Sequence, residues 1–446
     1  MIPLVALVGR PNVGKSTLFN RLAGKKLAIV HDEPGVTRDR HYADTHLQGR
    51  NLTLIDTGGF DPEDVDPMRQ GIARHVEGAI GEADVIVCVL DALTPPTEAD
   101  RAAVDLLRRS SKPVVYFANR ADNQAFELQA QELHRLGIDP LICGSALHGR
   151  SIAQLEAAMV DRLPAIEKQE EDEEDGSGRI PRIALLGRPN AGKSSLLNAL
   201  SGQERSLVDN RPGTTRDPID AHLCFKGKDY VFVDTAGIRR KAKVHHAVES
   251  ASVMRSIRCI GRADIVVLMC DANEEVAEQD ARLLSLAVER GRAVIVGLNK
   301  MDLIEESQRK SAEEQARDII HFASWVPFIR MSAKTHTGLG KLMHAIDRAH
   351  IEFSRRVTTS ELNRFFDEVL ERRPPPTKGG KAPRLYYVTQ AETRPPVFVA
   401  MCNLPESLQE SYRRFVINQL RDAFGFQAVP VKVRYRPRRR REREDG

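Results

Sequence analysis

GRPNVGKS at 9–16 and GRPNAGKS at 187–194 are two copies of one pattern, GxxxxGK[ST], and they decide how this 446-residue chain is read. Each follows a short apolar run, LVALV at 4–8 or IALL at 183–186, and each opens a helix-like stretch, STLFNRLAG or SSLLNALSG. Strand, glycine loop and helix in that order aim backbone N–H groups and the positive end of a helix at one point, which suits phosphate. Lys15 and Lys193 stand 178 residues apart, and the same spacing separates Thr37 from Thr215 and Asp56 from Asp234. Three elements at one offset mean that a whole nucleotide-binding domain occurs twice. The chain therefore reads as binding nucleoside triphosphate at two sites.

Each residue of the pattern has a chemical reason to be there. Gly9, Arg10, Pro11, Asn12, Val13 and Gly14 would wrap main-chain N–H groups around phosphate oxygens, as would Gly187, Arg188, Pro189, Asn190, Ala191 and Gly192. Lys15 and Lys193 are expected at the β- and γ-phosphates. Ser16 and Ser194 offer hydroxyl oxygen to Mg²⁺, a hard ion that shares its shell with phosphate. Downstream, PGVTRD at 34–39 and PGTTRD at 212–217 place Thr37 and Thr215 to close over Mg²⁺ and the γ-phosphate. The strand ends DTGG (Asp56, Thr57, Gly58, Gly59) and DTAG (Asp234, Thr235, Ala236, Gly237) supply a carboxylate near Mg²⁺, and the final glycine N–H senses the γ-phosphate. Loops ordered by that phosphate and released on its loss form a switch. The expected catalytic set is Lys15, Thr37 and Gly59 in the first copy, with Lys193, Thr215 and Gly237 in the second.

The base follows from NKMD (Asn299, Lys300, Met301, Asp302). The Asp302 carboxylate accepts from the N1–H and exocyclic amine of guanine. Adenine lacks those donors, so a buried acceptor would go unpaired with ATP. The first copy has NRAD (Asn119, Arg120, Ala121, Asp122). Ser145-Ala146 and Ser332-Ala333 can add a backbone N–H to the guanine oxygen. Arg120 stands where the second copy has Lys300, and a planar guanidinium is not equivalent to an ammonium. Weaker binding at the first site than in an Arg120→Lys variant is one expectation, and silent tolerance of the arginine is the alternative.

After the last glycine of each DxxG stand Phe60 and Ile238, where many GTPases have a water-orienting Gln. Neither can polarise water.

Hydrophobic content of 41% and charged content of 29% describe a globular chain, and no apolar run approaches the roughly 20 residues of a membrane span. MIPLVALVG lacks a basic start and reads as a first strand rather than a signal peptide. Six scattered cysteines without metal-like spacing suggest reduced thiols and a cytoplasmic protein. EKQEEDEED at 167–175 is an acidic linker. Residues 351–446 carry 20 Lys/Arg against 12 Asp/Glu, so their net +8 leaves −4 for the rest of a chain whose total is +4. That bias fits a polyanionic partner, with a merely solvated basic surface as the alternative. Beyond 351 the patterns run helix, strand, strand, helix, strand.

With these residues the chain resembles the Der family of GTPases, also called EngA, over nearly its whole length. The resemblance implies two P-loop GTPase domains of α/β class, each a mostly parallel sheet flanked by helices, and then a small α+β KH-like domain. The corresponding division is 1–165, a linker at 166–180, 181–351, 352–437 and a basic tail at 438–446. It implies GTP hydrolysis to GDP and phosphate, coupled to maturation of the large ribosomal subunit. The partners would be that subunit or its precursor, through rRNA and ribosomal proteins, with the protein itself a monomer. In related families K⁺, held partly by an Asn of the phosphate loop, substitutes for an arginine finger. Asn12 and Asn190 match it, the alternative being that they only stabilise the loop. Two departures stand out in the third domain. It lacks the GxxG with which a KH domain clamps RNA, and QAVP at 427–430 replaces a Gly-Thr-Pro-like turn. Two other readings remain, an RNA-modifying enzyme and a scaffold that binds nucleotide without turnover.

Overall fold

The computed structural model describes residues 2–24, 42–57, 80–81, 83–164, 179–203, 220–235, 249–274, 276–377 and 383–437. Thr37, Gly58, Gly59, Phe60, Thr215, Ala236, Gly237 and Ile238 lie outside them, as do the acidic run at 167–175 and the tail at 438–446. The chain divides into two compact units, one drawn from 1–172 and 246–256, the other from 173–245 and 257–446.

In the first unit β1 (Leu4–Val8) leads through the glycine loop into α1 (Lys15–Ala23). A hairpin of β2 (Tyr42–Leu47) and β3 (Arg50–Asp56) follows. Then come β4 (Val85–Asp91), α2 (Glu98–Arg109), β5 (Val114–Asn119), α3 (Gln124–Ala130), β6 (Leu141–Cys143) and α4 (Ile152–Asp161). The sheet order is β2-β3-β1-β4-β5-β6, and only β2 runs antiparallel to its neighbour. All of β1 and β4 is buried, which demands apolar cover on both faces. Val5 and Leu7 face α1 and α4 through Leu18, Phe19, Leu155 and Met159. Ala6 and Val8 face α2 through Val104 and Leu107.

The second unit repeats this plan with β7 (Arg182–Leu186), α5 (Lys193–Gln203), β8 (Ala221–Phe225), β9 (Lys228–Phe232), the part from Ile257 of α6 (Glu249–Arg262), β10 (Ile265–Asp271), α7 (Glu278–Glu289), β11 (Ala293–Asn299), α8 (Arg309–Ile319), β12 (Phe328–Arg330) and α9 (Leu339–Ser354). Its order, β12-β11-β10-β7-β9-β8, is the first sheet read from the opposite edge. One difference matters for the site. The β1–β3 ladder continues to Leu7 opposite Asp56, whereas β7 pairs with β9 only through Arg182–Val231 and Ile183–Phe232.

The same unit carries α10 (Thr359–Arg372), β13 (Leu385–Glu392), β14 (Val397–Cys402), α11 (Glu410–Phe424) and β15 (Lys432–Pro437). This is the helix-strand-strand-helix-strand order expected from the sequence. The turn at 427–430, anticipated as a departure, is used for docking. Ala428 and Val429 join the apolar cluster of the preceding α/β sheet, with Ile183, Ile295 and Ile346. Glu352, at the end of α9, is 1% exposed. Its Oε2 accepts the N–H groups of Gln427 and Ala428 at 2.7 and 3.0 Å, and Oε1 accepts Arg348 Nε–H at 2.9 Å. The Ala428 carbonyl accepts Val294 N–H at 2.8 Å. Beside them Arg421 donates to the carbonyls of Phe426 and Val429 at 2.9 and 2.7 Å, with its guanidinium 3.8 Å over the Trp325 ring. Burial lowers the Arg421 pKa to about 9, against the opposing charge of Glu352.

Glu352→Ala should therefore cost about 3 kcal/mol, because two buried N–H groups lose their acceptor together. Trp325 is the chain's one tryptophan, so urea unfolding followed by its fluorescence reads this junction directly. An unchanged midpoint would refute the assignment.

Candidate nucleotide sites

Both glycine loops sit where β1 and β7 end, beside the ends of β4 and β10. A Cβ on Gly9 would overlap the Val89 carbonyl, and one on Gly187 the Met269 carbonyl. Gly14 and Gly192 have φ of 92° and 97°, and a side chain there would strike the amide of Asn119 or Asn299. Asn12 and Asn190 both sit at φ 64°, in the left-handed region that asparagine tolerates. Lys15 is buried, and its Nζ donates to the Arg10 carbonyl at 2.7 Å. Burial pushes its pKa down to about 8, partly opposed by the Asp56 charge. Lys193 Nζ donates to the carbonyls of Gly187 and Arg188 at 2.5 and 2.7 Å. Each ammonium thus lies over the loop that would hold the phosphates.

The hard-oxygen ligands converge in the first unit. Ser16 Oγ donates to Asp56 Oδ2 at 2.7 Å, and Thr57 Oγ1 pins the strand end to the Leu7 carbonyl at 2.8 Å. Hydroxyl and carboxylate oxygens of this kind suit Mg²⁺, a hard ion. In the second unit the Asp234 N–H donates to Asp220 at 3.1 Å, and its carboxylate accepts the Cys259 thiol at 3.4 Å. Asp234 has φ 54°, and Thr235 beside it is buried. The shorter β7–β9 ladder accounts for the difference, since it leaves this aspartate past the end of the pairing.

The base loops are built alike. Asn119 Nδ2 donates to the Val13 carbonyl at 2.8 Å while its Oδ1 accepts Ala146 N–H at 2.8 Å. Asn299 does the same between Ala191 and Ala333, at 2.9 Å each. Ser145 and Ser332 are buried and close their own loops, accepting the N–H groups of His148 and Thr335 at 3.1 Å. A hydrogen bond from Ser332 holds the Asp302 carboxyl below the usual carboxylate range. Asp122 lies 3.9 Å from His148 Nε2. Ala121 and Met301, which precede the two acids, are buried.

Arg120 reproduces its counterpart's ion pair. It reaches Asp91 at 3.1 Å as Lys300 reaches Asp271 at 2.5 Å, and it adds a bond to the Asn12 carbonyl at 2.6 Å. The side chains of Arg10 and Arg188 are held by acids. Arg10 lies 3.4 Å from Asp91 and Asp100, and Arg188 bonds Asp280 at 2.9 Å. Both acids also hold a helix start, through the N–H of Thr97 or Ala277 at 3.0 and 3.2 Å. That role was missed in the sequence, although T-x-x-D at 97–100 is a visible capping signature.

Two mostly parallel sheets, each presenting a phosphate loop and a guanine-type loop at the carboxyl ends of its parallel strands, define a tandem P-loop GTPase. A family model described as 50S ribosome-binding GTPase matches residues 4–120 and 182–300, and one for the C-terminal KH-domain-like part of EngA bacterial GTPase enzymes matches 356–436. The chain is 42% identical over 442 residues to GTPase Der of Myxococcus xanthus, covering 98% of this chain and 96% of that protein. It is 45% identical over 442 residues to GTPase Der of Symbiobacterium thermophilum, covering 98% and 93%. A crystal structure of a probable GTP-binding protein engB overlays 36% of this chain and 97% of its own at 24% identity, with a TM-score of 0.28. The chain belongs to the Der (EngA) family of GTPases. No helix among the described residues is long and apolar enough to cross a membrane.

The lowered pKa of Lys15 has a measurable consequence. Phosphate favours the charged amine, so GDP binding at the first site should take up a proton above about pH 8, and affinity should fall as pH rises through that value. Without nucleotide the sign reverses. Between about pH 8 and 10.5 the unfolded state holds more protons, so the unliganded fold gains stability with rising pH. Calorimetry at pH 8.5 in two buffers of different ionisation heat tests the uptake, and equal heats would refute it.

Proposed function

We propose that this GTPase acts as a switch with two inputs in maturation of the large ribosomal subunit, binding that particle or its precursor through rRNA and ribosomal proteins. The supporting observation is that Asn119 and Asn299 each join a phosphate loop to a base loop, so both sites hold the frame for a guanine nucleotide. In this reading Ser16, Thr37 and Asp56, and Ser194, Thr215 and Asp234, would hold Mg²⁺, which offsets phosphate charge when bound. Lys15 and Lys193 neutralise the β- and γ-phosphates. Asp122 and Asp302 read the base, and the N–H groups of Gly59 and Gly237 sense the γ-phosphate. The Ala146 and Ala333 N–H groups are engaged by asparagine, so the next N–H along, of Leu147 or Lys334, is the donor for the guanine oxygen. We take the division at 1–165, 181–351 and 352–437 as the working domains, in a monomeric, cytoplasmic protein.

Phe60 and Ile238 leave charge stabilisation to other groups. The loop asparagines Asn12 and Asn190 are suited to hold K⁺ beside the phosphates. Phosphate release in K⁺ should exceed that in Na⁺, and Asn12→Ala with Asn190→Ala should remove the difference. Equal turnover in both salts defeats the K⁺ assignment, while no turnover in either favours a scaffold. For the ribosomal role, extract is sedimented with GDP or a nonhydrolysable GTP analogue. Co-migration with large-subunit particles only in the GTP-like state is expected, and no ribosomal association would overturn the proposal.

A further inference from the structure

We infer that Arg21 is a positioning residue for guanine at the first site, with no counterpart at the same place among the described residues of the second. The inference rests on the base-reading role given above to the loop at 145–150. Arg21 lies in the last turn of α1. Its Nε donates to the Ala146 carbonyl and its Nη2 to the Leu147 carbonyl at 2.5 Å. Gly149, at φ 77°, leaves room for it, since a Cβ there would come to 3.0 Å from Arg21 Nη1.

The main-chain donors of this loop can be accounted for one by one. Ser145 N–H goes to the Arg150 carbonyl, and the N–H groups of Gly149 and Arg150 go to the Ser145 carbonyl. Ala146 N–H goes to Asn119 and His148 N–H to Ser145 Oγ. Leu147 N–H is the donor left over for a ligand. In a trans peptide the C=O and the following N–H point in opposite directions. A guanidinium on the Ala146 carbonyl therefore turns Leu147 N–H to the other side of the loop, and it polarises that same peptide so that the N–H donates more strongly. The fork on two successive carbonyls fixes the plane of the peptide, which an ammonium does less well.

At the repeat spacing of 178, Arg21 corresponds to Ala199, whose methyl can do none of this. The matching helix position in the second unit therefore offers no such clamp for Lys334 N–H. Recognition of the guanine 6-oxygen is accordingly reinforced at the first site alone.

The test uses the full chain carrying Asp302→Asn, so that only the first site reads guanine. Dissociation constants for GDP and for 6-thio-GDP, which keeps the N1–H and the amine but offers a poor acceptor, are measured with Arg21, Arg21→Ala and Arg21→Lys. In the alanine protein GDP should weaken about tenfold and 6-thio-GDP less than about twofold, so the preference for oxygen shrinks. The lysine protein should keep part of it. Equal weakening of both nucleotides would reduce Arg21 to a structural staple and overturn the inference, as would no change in either. A parent chain that binds GDP without preferring oxygen would instead defeat the base-reading role of the loop. Should the alanine protein not fold, the lysine protein decides alone, by partial loss of the preference or by its absence.

Discussion

One buried carboxamide in each repeat holds the site together. Asn119 and Asn299 end their strands, and each amide uses one end on the phosphate loop and the other on the base loop. That bond also explains a glycine. Gly14 and Gly192 free N–H groups for phosphate, but they are required as well because a Cβ at either would collide with the amide. The glycine and the asparagine are about a hundred residues apart in sequence and form one device. Neighbouring strand ends complete it, with Asp91 in register with Asn119 and Asp271 with Asn299. Those two aspartates take the basic residue that follows each asparagine. Parallel pairing thus fixes the base reader against the phosphate loop before any ligand arrives.

The two copies keep this frame and differ around it. In the first, Ser16 and Asp56 already touch, and arginines brace the site at position 120 and at position 21. In the second, Asp234 faces Asp220 and Cys259, beyond a ladder that has ended, and the base loop has a lysine at 334. Arg120 replaces the lysine of the second copy. It keeps the ion pair of Lys300 and gains a carbonyl of the phosphate loop, because a guanidinium spreads several donors where an ammonium has one centre.

Much of this was legible in the sequence because it is local. Strand, loop and helix follow each other within twenty residues, and continuous apolar runs such as VIVCVLD and IVVLMCD can only be central strands. The repeat spacing extended that reading to residues whose meaning lies in position alone. What the sequence did not disclose depends on contacts between distant segments. Arg10 and Arg188 fell in the phosphate motif and were read with it, yet their side chains anchor helix starts some ninety residues away. Arg21 sat in an ordinary helix and gave no signal, since its partners are main-chain carbonyls that any residue possesses. The Ala146 N–H looked free until Asn119 was seen to take it.

The turn at 427–430 shows the same limit from the other direction. QAVP looked like a degraded turn because a turn in water needs glycine or proline at fixed positions. Here Gln427 is exposed, but Ala428, Val429 and Pro430 are buried. Glu352 and Val294 bond its main chain, and Ala428 and Val429 fill apolar space in the second GTPase sheet. Helix α9 therefore has two attachments. Near its end Glu352 grips the third domain, while Asp347 accepts the Tyr230 hydroxyl at 2.7 Å and the Lys228 ammonium at 2.6 Å from β9. Asp234 follows two residues after that strand ends. One helix thus holds both β9, at Asp347, and the turn at 427–430, at Glu352, and Ala428 and Val429 fill the apolar space between them and the second sheet.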